Sequence, residues 1–213
     1  MKCEKNILRL YAVTDRTWTA GRTLLAQVED ALTGGATCIQ LREKDLPDDS
    51  FLVEAMEMKS LCQRYNVPFL INDNVEIAIR CQADGIHVGQ QDMQAREVRT
   101  RIGERMLLGV SVQTVAQALL AQANGADYLG VGAMFPTPTK PDADAVRPEE
   151  LRKICAAVQI PVVAIGGITK ENLPSLAGTG IEGVALVSAI FACDDIVAAC
   201  RELRSLSEEM VSA

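Results

Sequence analysis

Arg42, Lys44 and Lys140 are cations that fall just beyond apolar runs, and the acids Asp73 and Asp92 do the same. Gln40 stands two places before Arg42, so Gln40, Arg42 and Lys44 share one side of an extended chain. Such cations attract anions. Two carboxylates beside them would repel each other unless a divalent ion and an anion shared the space, which describes Mg²⁺ beside a pyrophosphate. A second anion site is legible at Gly166-Gly167 and Val187-Ser188, where bare backbone N–H groups and a hydroxyl can hold a phosphate. Asn72, Ser111, Thr137 and Thr139 add neutral hydrogen-bonding groups. Two anion sites point to two phosphorylated small molecules.

Several chemistries are excluded at once. The chain has one histidine, His87, so neither a Ser-His-Asp set nor a histidine metal cluster fits, and no cysteine–histidine pair is expected. The reaction must depend on charge stabilisation more than on a strong base. A net charge of −7 argues against nucleic acid and against an anionic membrane as partners. No run reaches the roughly 18 apolar residues of a membrane span. Seven cysteines without a C-x-x-C pair read as reduced, mostly buried thiols of a cytoplasmic protein.

The positioning elements follow from periodicity. Eight short apolar runs recur, at Leu8–Thr14, Thr37–Arg42, Pro68–Asp73, Gly85–Gly89, Leu107–Ser111, Tyr128–Gly132, Val162–Gly166 and Gly183–Ser188. Helical stripes lie between them, such as Leu24, Val28, Ala31 and Leu32, or Leu151, Ile154, Cys155 and Val158. Pro148 followed by Glu149 and Glu150 marks a helix start, while Asn74–Cys81 makes only a short helix. Strands alternating with helices, with no linker, predict one α/β domain over 1–213, a single (β/α)8 TIM barrel. An open doubly wound sheet is the alternative, but Thr14-Asp15-Arg16 stands where its glycine-rich fingerprint would be. Barrels carry their chemistry at the carboxyl ends of the strands, which is where every candidate above falls.

Each candidate has a plainer reading. Asp73 and Asp92 could cap the helices that follow, and so could Ser111. Arg42 and Lys44 could be surface charges. Gly166-Gly167 could be a turn requiring positive φ, and His87 a packed or positioned side chain. Their joint placement at strand ends favours function.

The motifs Ala12-Val13-Thr14-Asp15-Arg16, Gln40-Leu41-Arg42-Glu43-Lys44, Ile71-Asn72-Asp73 and His87-Val88-Gly89-Gln90-x-Asp92 resemble those of thiamine-phosphate synthases. Gly109-Val110-Ser111-Val112, Phe135-Pro136-Thr137-Pro138-Thr139-Lys140, Gly166-Gly167-Ile168 and Val187-Ser188-Ala189-Ile190 extend the likeness in order along the chain. The resemblance implies condensation of hydroxymethylpyrimidine pyrophosphate with hydroxyethylthiazole phosphate, giving thiamine phosphate and pyrophosphate. It implies that Gln40, Leu41, Arg42, Glu43, Lys44, Asn72, Ser111 and Lys140 contact the pyrimidine pyrophosphate. Arg42, Lys44, Ser111 and Lys140 would be the catalytic set, and Asp73 and Asp92 would hold Mg²⁺. Thr137, Pro138, Thr139, Gly167, Val187 and Ser188 would bind the thiazole phosphate. The implied mechanism is dissociative, with pyrophosphate leaving before the thiazole nitrogen attacks.

Three rivals remain in view. A thiazole tautomerase of the same family would carry a histidine where Gln113 stands, a place where many synthases also have histidine. An inactive phosphate-ligand-binding regulator would have lost a metal-site acid or Lys140, and all are present. A sugar-phosphate isomerase would leave Arg42, Lys44 and Lys140 without a purpose. Self-association into a homo-oligomer is compatible with the outer helices.

Overall fold

The computed structural model describes residues 3–19, 21–137 and 145–213. Eight strands follow one another in chain order: β1 Leu10–Val13, β2 Cys38–Leu41, β3 Phe69–Asn72, β4 Gly85–Val88, β5 Leu107–Val112, β6 Tyr128–Val131, β7 Val162–Ile165 and β8 Val184–Leu186. All pair in parallel, and β8 returns to β1 with Leu10 opposite Val184, so the sheet closes into a barrel. Each expected run therefore holds a strand. The first begins later than its run, because Lys5–Leu8 winds into a 3-10 turn with Leu8 buried.

The runs are continuously apolar because both faces are covered. Outward residues such as Leu10, Ala12, Ile39, Leu41, Ile86, Val88, Leu129 and Val131 pack with the surrounding helices in one large cluster. Tyr11, Val13, Cys38, Leu70, Leu107, Tyr128, Val163 and Ala185, of the opposite parity, form a separate cluster inside the barrel. Gln40 and His87 share the inward parity and are buried, at 4% and 7% exposure.

The helices are α1 Leu24–Thr33, α2 Asp48–Arg64, α3 Val75–Arg80, α4 Ala95–Ile102, α5 Val115–Ala123, α6 Pro148–Ala157, α7 Ser188–Phe191 and α8 Ile196–Ser212. The start of α6 is as expected, with Pro148 in its first turn and Glu149 and Glu150 behind it. The short α3 is real and is capped by Asn74, whose side chain accepts from the Ile77 amide at 3.0 Å. Between β7 and β8 the described chain makes only a 3-10 turn, Leu173–Leu176, with Pro174 in it. α8 covers that side, packing against both α1 and this turn. The economy lets 213 residues close a barrel.

Gly109, on β5, faces a tightly filled part of the interior. A Cβ there would lie 2.2 Å from the Tyr128 ring and 2.4 Å from His87 Nδ1. Tyr128 is hydrogen-bonded to Tyr11 and His87 to Ser111, so neither ring can yield cheaply. Gly109→Ala is expected to lower stability by ~2 kcal/mol or more, as overpacking of a filled core does. Urea denaturation measures it; an unchanged midpoint would show that the rings can move aside.

Candidate active site

The carboxyl ends of β1 to β5 bring most of the candidates together. β2 ends at Leu41, so the alternation of Gln40, Arg42 and Lys44 does not continue along one extended face. The two cations lean instead toward opposite neighbours. Arg42 donates from Nη1 to Asp15 at 3.2 Å, beyond β1, and Lys44 Nζ pairs with Asp73 beyond β3. The side chains of the intervening residues are committed elsewhere. Leu41 is fully buried among the helix-facing residues. Glu43 binds Arg16 at 2.9 Å, and its Oε1 is buried without a hydrogen-bond partner among the described residues. Burial pushes the Glu43 carboxyl upward despite Arg16.

The capping reading of the acids fails. Asn74 caps α3, and Asp73 stands outside the helix with φ 61, a left-handed conformation uncommon for a residue with a side chain. Its amide donates to the His87 carbonyl at 2.9 Å, and its Oδ1 accepts from Asn72 Nδ2 at 3.0 Å. α4 has Gln94 at its N-cap, with no side-chain cap bond. Asp92 accepts from the Gly89 amide at 2.7 Å and so closes the turn after β4. Desolvation raises the Asp73 carboxyl above its usual range, with the Asp92 charge adding to it and Lys44 opposing it. Asp73 and Asp92, close enough to interact and with the Lys44 ammonium on one of them, are hard oxygen donors that could hold a divalent cation. Among the described residues no group of three or more His, Cys, Asp and Glu that could hold a metal forms, so two carboxylates are what this place could offer a divalent ion.

Ser111 is not a cap either. It lies within β5, while Thr114 caps α5 in a reciprocal pair with Gln117. Ser111 Oγ meets His87 Nε2 at 2.9 Å, and its carbonyl accepts from Gln90 Nε2 at 2.7 Å. His87 Nδ1 meets Tyr128 Oη at 2.9 Å, Tyr128 meets Tyr11 Oη at 2.9 Å, and Gln40 Nε2 donates to Tyr11 Oη at 2.6 Å. His87 is thus positioned on both nitrogens. Burial pushes it down from its ordinary 6.5 to about 4, against a smaller upward pull from Asp92, so near neutral pH it carries no charge. Tyr11 and Tyr128 lie within apolar runs of the sequence, and nothing in their type marks this role. Their signal was parity: both share the inward face with Gln40 and His87.

The ends of β6 and β7 are zipped together. The Met134 amide donates to the Ile165 carbonyl and the Phe135 amide to the Gly166 carbonyl, each at 3.0 Å. Gly166 and Gly167 both take positive φ, at 93 and 66. A Cβ on Gly167 would sit 2.5 Å from the Phe135 and Pro136 carbonyl oxygens, so only glycine fits under this loop. The turn reading of these glycines is correct as far as it goes, and it presses them beneath the segment that leads to Thr137. Pro138, Thr139 and Lys140 lie outside the described residues. Val187 follows β8, and Ser188 opens the single-turn helix α7.

Residues 10–190 match the model of the thiamine monophosphate synthase family. The chain belongs to that family. Thiamine-phosphate synthases of Clostridium tetani and Clostridium beijerinckii are 48% and 50% identical to it, over 94% and 92% of this chain and 96% and 94% of theirs. A solved structure titled thiamine phosphate pyrophosphorylase, from Pyrococcus furiosus, superposes with a TM-score of 0.90 at 39% identity, covering 97% of this chain and 98% of that one. The family is one of transferases, and this chain is one of its enzymes. No described helix is long and apolar enough to cross a membrane.

The buried His87 makes stability pH-dependent. Its folded value is depressed, so below 6.5 the unfolded chain binds a proton that the folded chain declines down to about 4. Stability therefore falls as pH drops through that window, by on the order of 3 kcal/mol for this group. His87→Gln is expected to flatten the fall between pH 6.5 and 4 in urea titrations. Equal slopes in the two proteins would count against the assignment.

Proposed function

We propose that the protein condenses hydroxymethylpyrimidine pyrophosphate with hydroxyethylthiazole phosphate, releasing pyrophosphate and forming thiamine phosphate. The observation that carries this reading is the meeting of Arg42, Lys44, Asp73 and Asp92 at one barrel mouth in a chain of this family. A pyrophosphate leaving group needs cations on its oxygens, and Arg42 and Lys44 stand there, each paired with a carboxylate. Asp73 and Asp92 fit Mg²⁺, which takes one or two carboxylates and completes its shell with phosphate oxygens and water. When bound, the ion would neutralise charge growing on the departing pyrophosphate.

The balance is simple. The bond between the pyrimidine methylene carbon and the pyrophosphate oxygen breaks, and its electron pair leaves with the oxygen. The thiazole nitrogen then supplies its lone pair to that carbon, giving a thiazolium. No proton is removed from either partner, which suits a site whose one histidine is buried and neutral. Arg42 and Lys44 hold the leaving group, Gln40, Asn72 and Ser111 orient the pyrimidine, and Lys140 joins the cations. Thr137, Pro138, Thr139, Gly167, Val187 and Ser188 take the thiazole phosphate, and Leu41 and Glu43 contribute through their backbone.

The decisive assay mixes the protein with both substrates, with and without Mg²⁺, and follows thiamine phosphate. Product that vanishes with a chelator and returns with Mg²⁺ is expected. Binding of both substrates without product would point to the inactive regulator, and thiazole isomerisation alone to the tautomerase. Asp92→Asn and Lys140→Ala should each lower kcat by about 10² or more, the effect of removing one preorganised charge. Wild-type turnover in either variant would remove that residue from the mechanism.

A further inference from the structure

The contacts from Gln40 to Ser111 form one unbroken chain: Gln40, Tyr11, Tyr128, His87 and Ser111, linked at 2.6, 2.9, 2.9 and 2.9 Å. It crosses the barrel interior, visiting β2, β1, β6, β4 and β5. Tyr11 and Tyr128 are 1% and 0% exposed, so each O–H needs an acceptor inside the protein. Both are held far from ionisation by burial, so each has one proton to give.

That bookkeeping fixes a direction. Gln40 presents Nε2, which can only donate, to Tyr11. Tyr11 must then give its own proton to Tyr128, or leave a buried O–H without an acceptor. Tyr128 in turn gives its proton to His87 Nδ1. A neutral imidazole that accepts at Nδ1 carries its hydrogen on Nε2, and that hydrogen points at Ser111 Oγ. The Ser111 hydroxyl, already accepting, keeps its own proton for a ligand. Gln40 keeps Oε1 as an acceptor.

We propose that Tyr11, Tyr128 and His87 are positioning residues that act through this directed chain. They fix His87 as the Nε2–H tautomer and Ser111 as a donor toward the barrel mouth, while the Gln40 amide, which sets the direction, keeps Oε1 as an acceptor. The two ends of the chain therefore have opposite polarity. What they meet rests on the proposed condensation, whose aminopyrimidine ring offers both an N–H and a ring lone pair. The chain's direction does not rest on it.

His87 is the sole histidine, so ¹⁵N-histidine labelling gives one pair of ring signals. In the unmodified protein near neutral pH, Nε2 should be the protonated nitrogen and Nδ1 the bare one; the reverse would overturn the proposal. Gln40→Glu replaces the terminal donor with an acceptor and should transfer the hydrogen to Nδ1, although Gln40 does not touch the imidazole. An unchanged tautomer in that folded variant would also overturn it. For function, Tyr128→Phe should lower kcat/KM about tenfold, the lower end of the effect of removing a group that orients a contacting one. In a Ser111→Ala background the same change should cost nothing further, and additive losses would show that Tyr128 does not act through Ser111. A correct tautomer in a protein that makes no thiamine phosphate would refute the proposed reaction and leave the chain standing.

Discussion

A closed eight-stranded barrel leaves inside it only the room that its inward side chains fill. In this protein two tyrosines take the middle of that room and meet oxygen to oxygen at 2.9 Å, with their rings edge-on at 63°. Apolar residues, Leu70, Leu107 and Val163 among them, pack around the pair, while Gln40, His87 and Ser111 belong to the mouth. The Tyr11–Tyr128 contact is therefore both part of the core and a support for the site. Its phenol rings bury apolar area, and their hydroxyls connect Gln40 to His87 and, through the imidazole, to Ser111. Side chains anchored from below on strands hold their geometry better than side chains on loops.

Charge at the mouth is organised by mutual restraint. Arg42 rests on Asp15 and Lys44 on Asp73. None of these four side chains is more than half exposed, so each would lose solvation without a partner. In the proposed reaction an incoming pyrophosphate would draw Arg42 and Lys44 from Asp15 and Asp73, and only Asp73 of these two acids would pass to the metal. The left-handed backbone at Asp73 belongs to the same arrangement, because it turns the residue away from the helix start that Asn74 occupies.

Much of this was legible from residue order, for definite reasons. A strand covered on both faces must be apolar throughout, and eight such runs with helical stripes between them have few ways to close. Pro148 marked the start of α6 because its ring suits a first helical turn. What stayed hidden was direction. Arg42 and Lys44 share a parity, yet the end of β2 at Leu41 sends them to different neighbours. Asp73, Asp92 and Ser111 have the types and places of helix caps; only the geometry shows Asn74 and Thr114 in those posts. Tyrosine in an apolar run reads as bulk, and its hydroxyl partners come from strands far away in sequence.

Gly109 yields its volume to Tyr128 and His87, so these positions are not free to vary one at a time. A larger residue at 109 requires a smaller ring at 128 or the loss of the imidazole, and either loss breaks the link to Ser111. Drift along any lineage that keeps this interior would have to pass through several simultaneous changes. The side chain that one glycine lacks thus acts as a ratchet on inheritance, holding residues on three strands to a common fate.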